Sequence, residues 1–221
     1  MLNAVIFDFD GIIVDSEPMH YQAFQRALEP HEISYSWEEY CESYIGFDDR
    51  DGFREAFKAA GQKISSRDLK RLITAKAEIF QTLIREGQIS PLPGAVELIG
   101  SIPCKLPVAL CSGALKEDIL PILETLGIEN TFRAMVTAED TKKSKPDPAP
   151  YKLVLEQLKI DNPASAIAIE DTPAGIRSAK KAGLKVLAVT NSYDHEYLLD
   201  ADAITDSLEK VTRLSLEDMV L

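Results

Sequence analysis

Short apolar runs that each end at a polar residue constrain the fold of this chain more than any other feature. The first run covers residues 4–7, and Asp8 follows it directly. Similar runs occur at 107–111, 166–169 and 186–189, with weaker candidates at 134–136 and 203–204. Runs this short, rich in aliphatic residues and without polar alternation, are typical of strands buried on both faces of a parallel sheet.

The segments between these runs are predicted to be amphipathic helices. Apolar residues recur at helical spacing over 118–126, 149–158 and 173–182. Gly127 and Gly183 stand where the first and the last of these helices would end. Because strands and helices alternate with short connections, we predict an α/β fold, a doubly wound parallel sheet with helices on both faces.

Residues 17–89 interrupt this alternation. They contain helical patterns but no buried-strand run; the patterns lie at 19–28, 37–44, 51–60 and 67–84. We therefore predict an all-helical insertion at 17–89, with the α/β part formed by residues 1–16 and 90–221. Pro91 and Pro93-Gly94 mark the return to the α/β part.

Charge and cysteine content exclude several classes of function. The 221 residues include 24 basic and 36 acidic ones, a formal net charge of −12. Such a surface repels phosphate backbones and anionic lipids, so we expect neither a nucleic-acid nor a membrane partner. The 3 cysteines lack metal-ligand spacing, and the first residues do not resemble a signal peptide. We expect a cytoplasmic monomer that acts on a small molecule.

Two carboxylates stand where the first predicted strand ends. Asp8 and Asp10 flank Phe9, and Gly11 follows them. Ligands of open parallel sheets bind at the carboxyl ends of the strands. Alternate residues of an extended chain point to the same side, roughly 6–7 Å apart. Two carboxylates at that distance disfavour joint ionisation unless a cation or a shared proton intervenes. The simpler interpretation is a pair of solvated acids, one of which caps a turn.

A second pair of acids closes a later apolar run. Glu170 and Asp171 follow residues 166–169, and Thr172-Pro173 suits the first turn of a helix. Alone, this segment could merely cap that helix. Together with the first pair it would bring four carboxylates to one sheet edge, where like charges repel by roughly a few kcal/mol. Oxygen ligands without a nearby His or Cys favour a hard cation, Mg²⁺ above the others.

Two further motifs supply groups that could bind an anion. Ser112-Gly113 follows a buried run and precedes a helix, so a phosphate could accept hydrogen bonds from the hydroxyl and from the helix N-terminus. Pro146 keeps Lys145 extended, which lets its charge project into an acidic site. The simpler interpretations are a strand-terminating turn and a solvated basic turn, and we prefer the latter for Lys142 and Lys143.

These four motifs, in this order, resemble those of the haloacid dehalogenase (HAD) superfamily of phosphotransferases. They are Asp-x-Asp-Gly at 8–11, Ser-Gly at 112–113, Lys-Pro-Asp-Pro at 145–148 and Glu-Asp-Thr-x-x-Gly-Ile at 170–176. The helical insertion at 17–89 falls where that family carries an α-helical cap on a Rossmann-like core. Residues 15–20 look most like the β-phosphoglucomutase-like branch, which also holds phosphoglycolate phosphatase-like enzymes.

The resemblance implies a role for each core residue. Asp8 would attack phosphorus and form an aspartyl phosphate. Asp10 would protonate the leaving oxygen and then accept a proton from water or an alcohol. The phosphate-binding residues would be Ser112, Gly113 and Lys145. The Mg²⁺ ligands would be Asp8, the Asp10 backbone carbonyl, Asp171 and, directly or through water, Glu170.

In similar proteins, residues at three cap positions face the active site. Here they are His20, Arg50, which follows the loop 45–49, and Lys76. The resemblance implies that they determine substrate specificity. The simpler interpretation of each is a solvated helix charge or a half-buried histidine.

The residues after Ser112 bear on the type of reaction. A mutase must bind a second phosphate and protect the aspartyl phosphate from water. Ala114 and Leu115 offer no side-chain donor, and Glu117 and Asp118 add negative charge. We therefore predict a Mg²⁺-dependent phosphatase of a sugar phosphate or phosphoglycolate-like metabolite. A hexose-phosphate mutase is the alternative, and a non-catalytic regulatory module is the second alternative, against which the intact acid cluster argues.

Overall fold

The first strand lies at the centre of a six-stranded parallel sheet. In the computed structural model, which describes residues 1–44, 49–86 and 89–220, the strand order is β3-β2-β1-β4-β5-β6. The strands are β1 (Ala4–Phe7), β2 (Val108–Cys111), β3 (Ala134–Val136), β4 (Ala166–Glu170), β5 (Lys185–Val189) and β6 (Ala203–Thr205). All four main runs and both weaker candidates are therefore confirmed as strands, and the predicted α/β fold class is confirmed.

The described part of the chain contains nine α-helices. They are α1 (Glu17–Leu28), α2 (Trp37–Ser43), α3 (Asp49–Ala59), α4 (Ser66–Arg85), α5 (Ala95–Ser101), α6 (Lys116–Leu126), α7 (Ala149–Leu158), α8 (Pro173–Ala182) and α9 (Arg213–Asp218). Short 3₁₀ turns lie at Glu29–His31, Pro163–Ser165, His195–Tyr197 and Leu208–Lys210. No helix among the described residues is both long enough and apolar enough to cross a bilayer.

The contacts divide the chain into two compact units. One, the core unit, comprises Met1–Asp15 and Ser90–Leu221; the other, the helical unit, comprises Ser16–Ile89. The described residues of the helical unit form helices α1–α4 and no strand. The roles of residues 17–89 as a cap and of residues 1–16 and 90–221 as a catalytic core remain predictions.

The core unit buries its sheet on both faces. Every residue of β1 and β2 is buried, as expected for central parallel strands covered on both sides. On one face, β1 residues Ala4 and Ile6 share an apolar cluster with Tyr151 of α7 and Ile176 of α8. This cluster fixes α7 and α8 beside the strands that carry the acids.

Local signals explain where these helices begin and end. The Thr172 hydroxyl accepts a hydrogen bond from the Gly175 N–H at 3.0 Å, so Thr172 caps α8 as predicted. Gly127 and Gly183 adopt the left-handed conformation at the ends of α6 and α8. Helix α6 begins two residues before its predicted start, because Lys116 and Glu117 continue the first turn although they carry no apolar signal.

The helical unit has its own aromatic core. Tyr35 stacks on Tyr44 at 4.3 Å between ring centroids, and Phe24 meets Phe53 edge-on at 4.8 Å. Helices α1 and α4 make the most extensive contacts in this unit. Helix α1 begins at Glu17 rather than 19 because a proline such as Pro18 fits the first turn, where no hydrogen bond is lost.

Candidate active site

The carboxylates of three acids meet at the carboxyl ends of β1 and β4. Asp8 follows β1, Glu170 is the last residue of β4, and Asp171 comes next. The two strands are paired neighbours, and the Asp8 N–H donates to the Ile169 carbonyl at 3.0 Å. One oxygen from each acid lies within 4.8 Å of the others, and all three residues are buried. The expected convergence of acids is confirmed for these three residues.

Lys145 supplies the positive charge of this cluster. Its ammonium lies 2.8 Å from Asp8 Oδ2 and 2.7 Å from Glu170 Oε1, and it donates to the Cys111 carbonyl at 2.9 Å. These three partners account for all three N–H bonds of the ammonium. The expectation that Lys145 projects into the acid cluster is therefore confirmed, while Lys142 and Lys143 are exposed on the same loop.

The electrostatics of the cluster follow from burial and crowding. Burial raises the pKa of Glu170 to about 8 and that of Asp171 to about 7, and in both cases repulsion from Asp8 adds to the effect. Burial alone would lower the pKa of Lys145, but the carboxylates of Asp8 and Glu170 outweigh it and raise the pKa. The Lys145 ammonium contacts two of the three carboxylates, so the cluster carries an excess of negative charge when all three are ionised.

The residues of this cluster fit a divalent cation. Asp171 Oδ1 is buried and has no hydrogen-bond partner among the described residues, while Asp171 Oδ2 accepts a short hydrogen bond from the Ser192 hydroxyl. A buried acceptor without a partner is costly, and a cation would satisfy it. When ionised, three carboxylates and one ammonium carry an excess of two negative charges, which one divalent ion balances. Oxygen-only ligands suit a hard ion such as Mg²⁺.

Two glycines allow the backbone to approach these acids. Gly11 has a positive φ of 73°, and a Cβ there would overlap the Asp171 carboxylate. A Cβ at Gly175 would overlap the Glu170 carboxylate. The predicted close approach of the Gly11 backbone is confirmed, whereas Gly175 was not singled out as a site residue.

Asp10 lies beyond the end of β1. That strand ends at Phe7, and Asp10 forms an isolated bridge with Val14. The alternation of side chains along an extended strand therefore does not reach Asp10, because the chain has already turned. Asp8 Oδ1 accepts from the Phe9 N–H at 2.8 Å, which fixes the carboxylate at this turn. The acid–base and metal-binding roles of Asp10 remain predictions.

Ser112 and Gly113 follow β2 at the same edge of the sheet. Ser112 is buried, its N–H donates to the Val136 carbonyl at 2.9 Å, and its hydroxyl accepts from the Ala114 N–H at 2.9 Å. Gly113 is exposed, and a Cβ there would meet open space. The roles of both residues in binding phosphate remain predictions.

Three residues that contact this site were not predicted from the sequence as site residues. The Tyr151 hydroxyl donates to Glu170 Oε1 at 2.5 Å, and Ser192 contacts Asp171. The Asn191 side chain donates to the Gly11 carbonyl at 2.7 Å. Asn191 and Ser192 follow a buried run, which is the same signal that identified the acids. Tyr151 had no such signal, since its position in α7 is that of a core residue.

The candidate specificity residues lie in the helical unit. Lys76 is buried, and its ammonium lies 2.6 Å from Asp49 Oδ1 and 2.8 Å from His20 Nδ1. An ammonium can only donate, so Nδ1 of a neutral His20 accepts and Nε2 carries the proton. Burial, and then the charge of Lys76, hold the pKa of His20 well below 6.5. The ring of His20 stacks on Phe80 at 4.2 Å.

Arg50 is exposed near the start of α3. Residues 45–48 of the preceding loop lie outside the described residues. Asp49, the partner of Lys76, was not predicted as a site residue. The roles of His20, Arg50 and Lys76 toward a substrate remain predictions.

Comparisons with a protein family and with individual relatives agree with each other. A family described as haloacid dehalogenase-like hydrolase matches residues 5–189. A phosphorylated carbohydrates phosphatase from Thermotoga maritima is 31% identical over 207 residues, which cover 92% of this chain and 93% of the relative.

Solved structures share the same fold. The crystal structure of CbbY from Rhodobacter sphaeroides in complex with phosphate superimposes with a TM-score of 0.86 at 25% identity, covering 99% of this chain and 100% of that one. A β-phosphoglucomutase from Clostridium difficile gives a TM-score of 0.82 at 26% identity, covering 100% and 97%.

Proposed function

Because this chain belongs to the haloacid dehalogenase-like hydrolase family, in the branch that holds phosphatases and β-phosphoglucomutases, we propose that it is a Mg²⁺-dependent phosphatase of a small phosphorylated metabolite. One observation carries the proposal. The Lys145 ammonium is shared between Asp8 and Glu170, beside an Asp171 oxygen for which the described part of the chain offers no partner. This arrangement combines a buried nucleophile with groups that compensate the charge of a phosphoryl group.

The proposed reaction proceeds in two displacements at phosphorus. A carboxylate oxygen of Asp8 forms a bond to phosphorus while the bond to the ester oxygen breaks, and Asp10 gives its proton to that oxygen. Water then attacks the aspartyl phosphate, and Asp10 takes a proton from that water. The P–O bond to Asp8 breaks, inorganic phosphate leaves, and the Asp8 carboxylate is restored.

The cation ligands in this proposal are Asp8, the Asp10 backbone carbonyl, Asp171 and Glu170. When bound, Mg²⁺ supplies positive charge for the phosphoryl oxygens, as phosphoryl transfer requires. The excess negative charge and the partnerless Asp171 Oδ1 support this assignment. Asp171 Oδ2 is already bonded to Ser192, so Oδ1 is the oxygen that remains for the ion.

Lys145 must exchange a partner during this reaction. All three of its N–H bonds are used within the core unit, so a phosphoryl oxygen can bind only by replacing one of them. Asp8 is the partner that changes, because it loses its negative charge on forming the acyl phosphate. Lys145 then passes from the Asp8 carboxylate to the phosphoryl oxygens while Glu170 and the Cys111 carbonyl continue to hold it.

The start of α6 favours hydrolysis over mutase chemistry. A mutase needs donors for a second phosphate near Ser112, but the Lys116 N–H already donates to Glu139 Oε2 at 3.1 Å. Glu117 and Asp118 add two further carboxylates in the first turn of this helix. Three acids at this position would repel a second phosphate. A hexose-phosphate mutase remains the alternative, because the chain is similar to the Clostridium β-phosphoglucomutase.

The substrate proposed here is a sugar phosphate or a phosphoglycolate-like metabolite. The Thermotoga relative is named a phosphorylated carbohydrates phosphatase, and the CbbY structure holds phosphate. In this proposal residues 17–89 form the cap, and His20, Arg50 and Lys76 help to select the substrate. A non-catalytic module would not need a buried cluster with this excess of negative charge.

The test is phosphate release from a panel of esters with Mg²⁺. The panel contains sugar monophosphates, 2-phosphoglycolate and β-glucose 1-phosphate with a bisphosphate primer. We expect release from one or a few sugar phosphates or phosphoglycolate, at least about 10³-fold reduced in Asp8→Asn because the nucleophile is lost. Asp161→Asn, at an exposed position outside the four motifs, is the matched control and should retain the activity.

Other outcomes separate the alternatives. Conversion of β-glucose 1-phosphate to glucose 6-phosphate without net phosphate release would establish the mutase instead. Activity that survives in Asp8→Asn would refute the aspartyl-phosphate mechanism. Inactivity on the whole panel, combined with no Mg²⁺ effect on the melting temperature, would favour the non-catalytic module.

A further inference from the structure

Tyr151 is a fully buried tyrosine that touches two groups of the proposed active site. It lies in the first turn of α7, and its hydroxyl donates to Glu170 Oε1 at 2.5 Å. The Lys145 ammonium lies 5.3 Å from the centroid of its ring. The Glu170 side chain is 0% exposed and that of Lys145 is 12% exposed, so water has little access to these contacts.

The hydrogen bond from the Tyr151 hydroxyl helps to determine the orientation of the Glu170 carboxylate. Oε1 accepts from both Lys145 and Tyr151, at 2.7 Å and 2.5 Å. Oε2 has a weaker contact, 3.5 Å to the Thr172 hydroxyl, and lies against Gly175. Without the tyrosine hydroxyl, Lys145 would be the one strong partner described for this carboxylate. The carboxylate could then rotate toward the ammonium and away from its present orientation.

The ring of Tyr151 is held independently of its hydroxyl. It belongs to the apolar cluster that also contains Val154 of α7 and Ile176 of α8. A phenylalanine could occupy the same volume and keep the face of its ring beside Lys145. A core residue chosen for packing alone would not need the hydroxyl, which makes the hydrogen bond separable from the packing by substitution.

We propose that Tyr151 is a positioning residue of the active site: its hydroxyl orients the Glu170 carboxylate so that Glu170 contributes to cation binding while it holds Lys145. This proposal rests on the proposed function, because it takes Mg²⁺ as the cation. Partners that orient metal-binding groups typically change metal affinity by 10–100-fold when they are removed. Tyr151 acts through Glu170 and does not touch the phosphoryl group.

The first experiment measures Mg²⁺ affinity without substrate. The metal-free protein and Tyr151→Phe are titrated with Mg²⁺ by calorimetry, and circular dichroism checks that the variant is folded. We expect the dissociation constant of Tyr151→Phe to be about 10-fold higher than that of the natural sequence. At saturating Mg²⁺ most of kcat should return, because the lost hydroxyl acts on cation binding.

Tyr40→Phe is the matched control. Its hydroxyl also donates to a carboxylate, that of Glu17, at 2.6 Å in the helical unit. The control loses the same kind of hydrogen bond between groups that do not belong to the acid cluster, so its Mg²⁺ affinity should stay within about twofold. Tyr151→Phe with unchanged Mg²⁺ affinity would overturn the proposal and leave Tyr151 as a packing residue.

A double-variant cycle protects the test against a general loss of stability. If Tyr151 acts through Glu170, removal of its hydroxyl in a Glu170→Gln background should change Mg²⁺ affinity by less than about twofold. An equal 10-fold loss in both backgrounds would contradict the proposed route. A natural-sequence protein that binds no Mg²⁺ would instead refute the proposed function itself, which distinguishes the two failures.

Discussion

The two units each bury a lysine, and the surroundings of the two lysines differ. Lys145 in the core unit lies between two carboxylates and a carbonyl, beside a third carboxylate. Lys76 in the helical unit has one carboxylate, that of Asp49, and the ring nitrogen of His20. Its ammonium also lies 5.0 Å from the centroid of the Phe24 ring and 5.3 Å from that of the Phe80 ring.

The difference lies in the balance of charge. Lys76 and Asp49 neutralise each other, and burial keeps His20 uncharged, so this group is complete as it stands. The cluster around Lys145 has too few positive charges for its carboxylates. A buried excess of charge does not stabilise a fold by itself. The comparison teaches that the ionic group that lacks a partner, rather than the one that is well paired, marks the chemistry.

The largest effect is expected from Lys145→Met. The substitution removes the ammonium and leaves the carboxylates of Asp8 and Glu170 without their shared partner. We expect kcat/KM for phosphate release to fall by about 10³-fold, which corresponds to about 4 kcal/mol. Lys143→Met is the control, because Lys143 is exposed on the same loop, and its kcat/KM should stay within about twofold. A loss below about tenfold for Lys145→Met would argue against the proposed role.

The pH dependence of stability probes the same excess of charge. The pKa values of Glu170 and Asp171 are raised to about 8 and about 7 by burial and by Asp8. The folded protein therefore holds protons that the unfolded chain releases above about pH 4–5. Stability of the metal-free protein should fall as pH rises from 5 to 8, lowering the melting temperature by about 5 °C or more. Thermal unfolding followed by circular dichroism in EDTA measures this.

Two comparisons sharpen that measurement. Mg²⁺ should raise the melting temperature more at pH 8 than at pH 6, because its ligands must be deprotonated. Asp171→Asn removes one of the two carboxyl groups whose pKa is raised. The stability of this variant should therefore change less between pH 5 and pH 8 than that of the natural sequence. A melting temperature that rises with pH in the metal-free protein would contradict the assigned excess of charge.

A smaller effect is expected from Lys76→Met. The methionine can pack against Phe24 and Phe80, and Asp49 is partly accessible to water, so the loss of the ion pair is partly compensated. We expect a cost of about 2 kcal/mol, seen as a melting temperature lower by about 6 °C. Lys70→Met, at an exposed position on the same helix, should be neutral. We expect kcat/KM to fall by less than tenfold, and a loss as large as that of Lys145→Met would place Lys76 among the phosphate-binding residues.

Most of the fold could be predicted because its signals are local. Every predicted strand was recovered, and α7 and α8 have the bounds that the apolar pattern predicted. The starts of α1, α3 and α6 differed from the predicted ones by two residues, since polar first turns such as Glu17-Pro18 carry no apolar signal. The candidate site was predicted where residues follow strands, as for Asp8 and Glu170. It was missed at Tyr151, whose contact comes from inside a helix, and at Asn191 and Ser192, which follow a buried run but were not predicted as site residues.

Local sequence patterns were enough to predict the parallel α/β core, the position of the helical insertion and the set of acids at one edge of the sheet. A buried run and the residue after it fix where a side chain emerges. The partners of these side chains could be identified only in the folded structure. Lys145 lies between Asp8 and Glu170, Ser192 occupies one oxygen of Asp171, and Lys76 is satisfied by Asp49. Such pairings join residues far apart in the chain, and their distances depend on how strands and helices pack together.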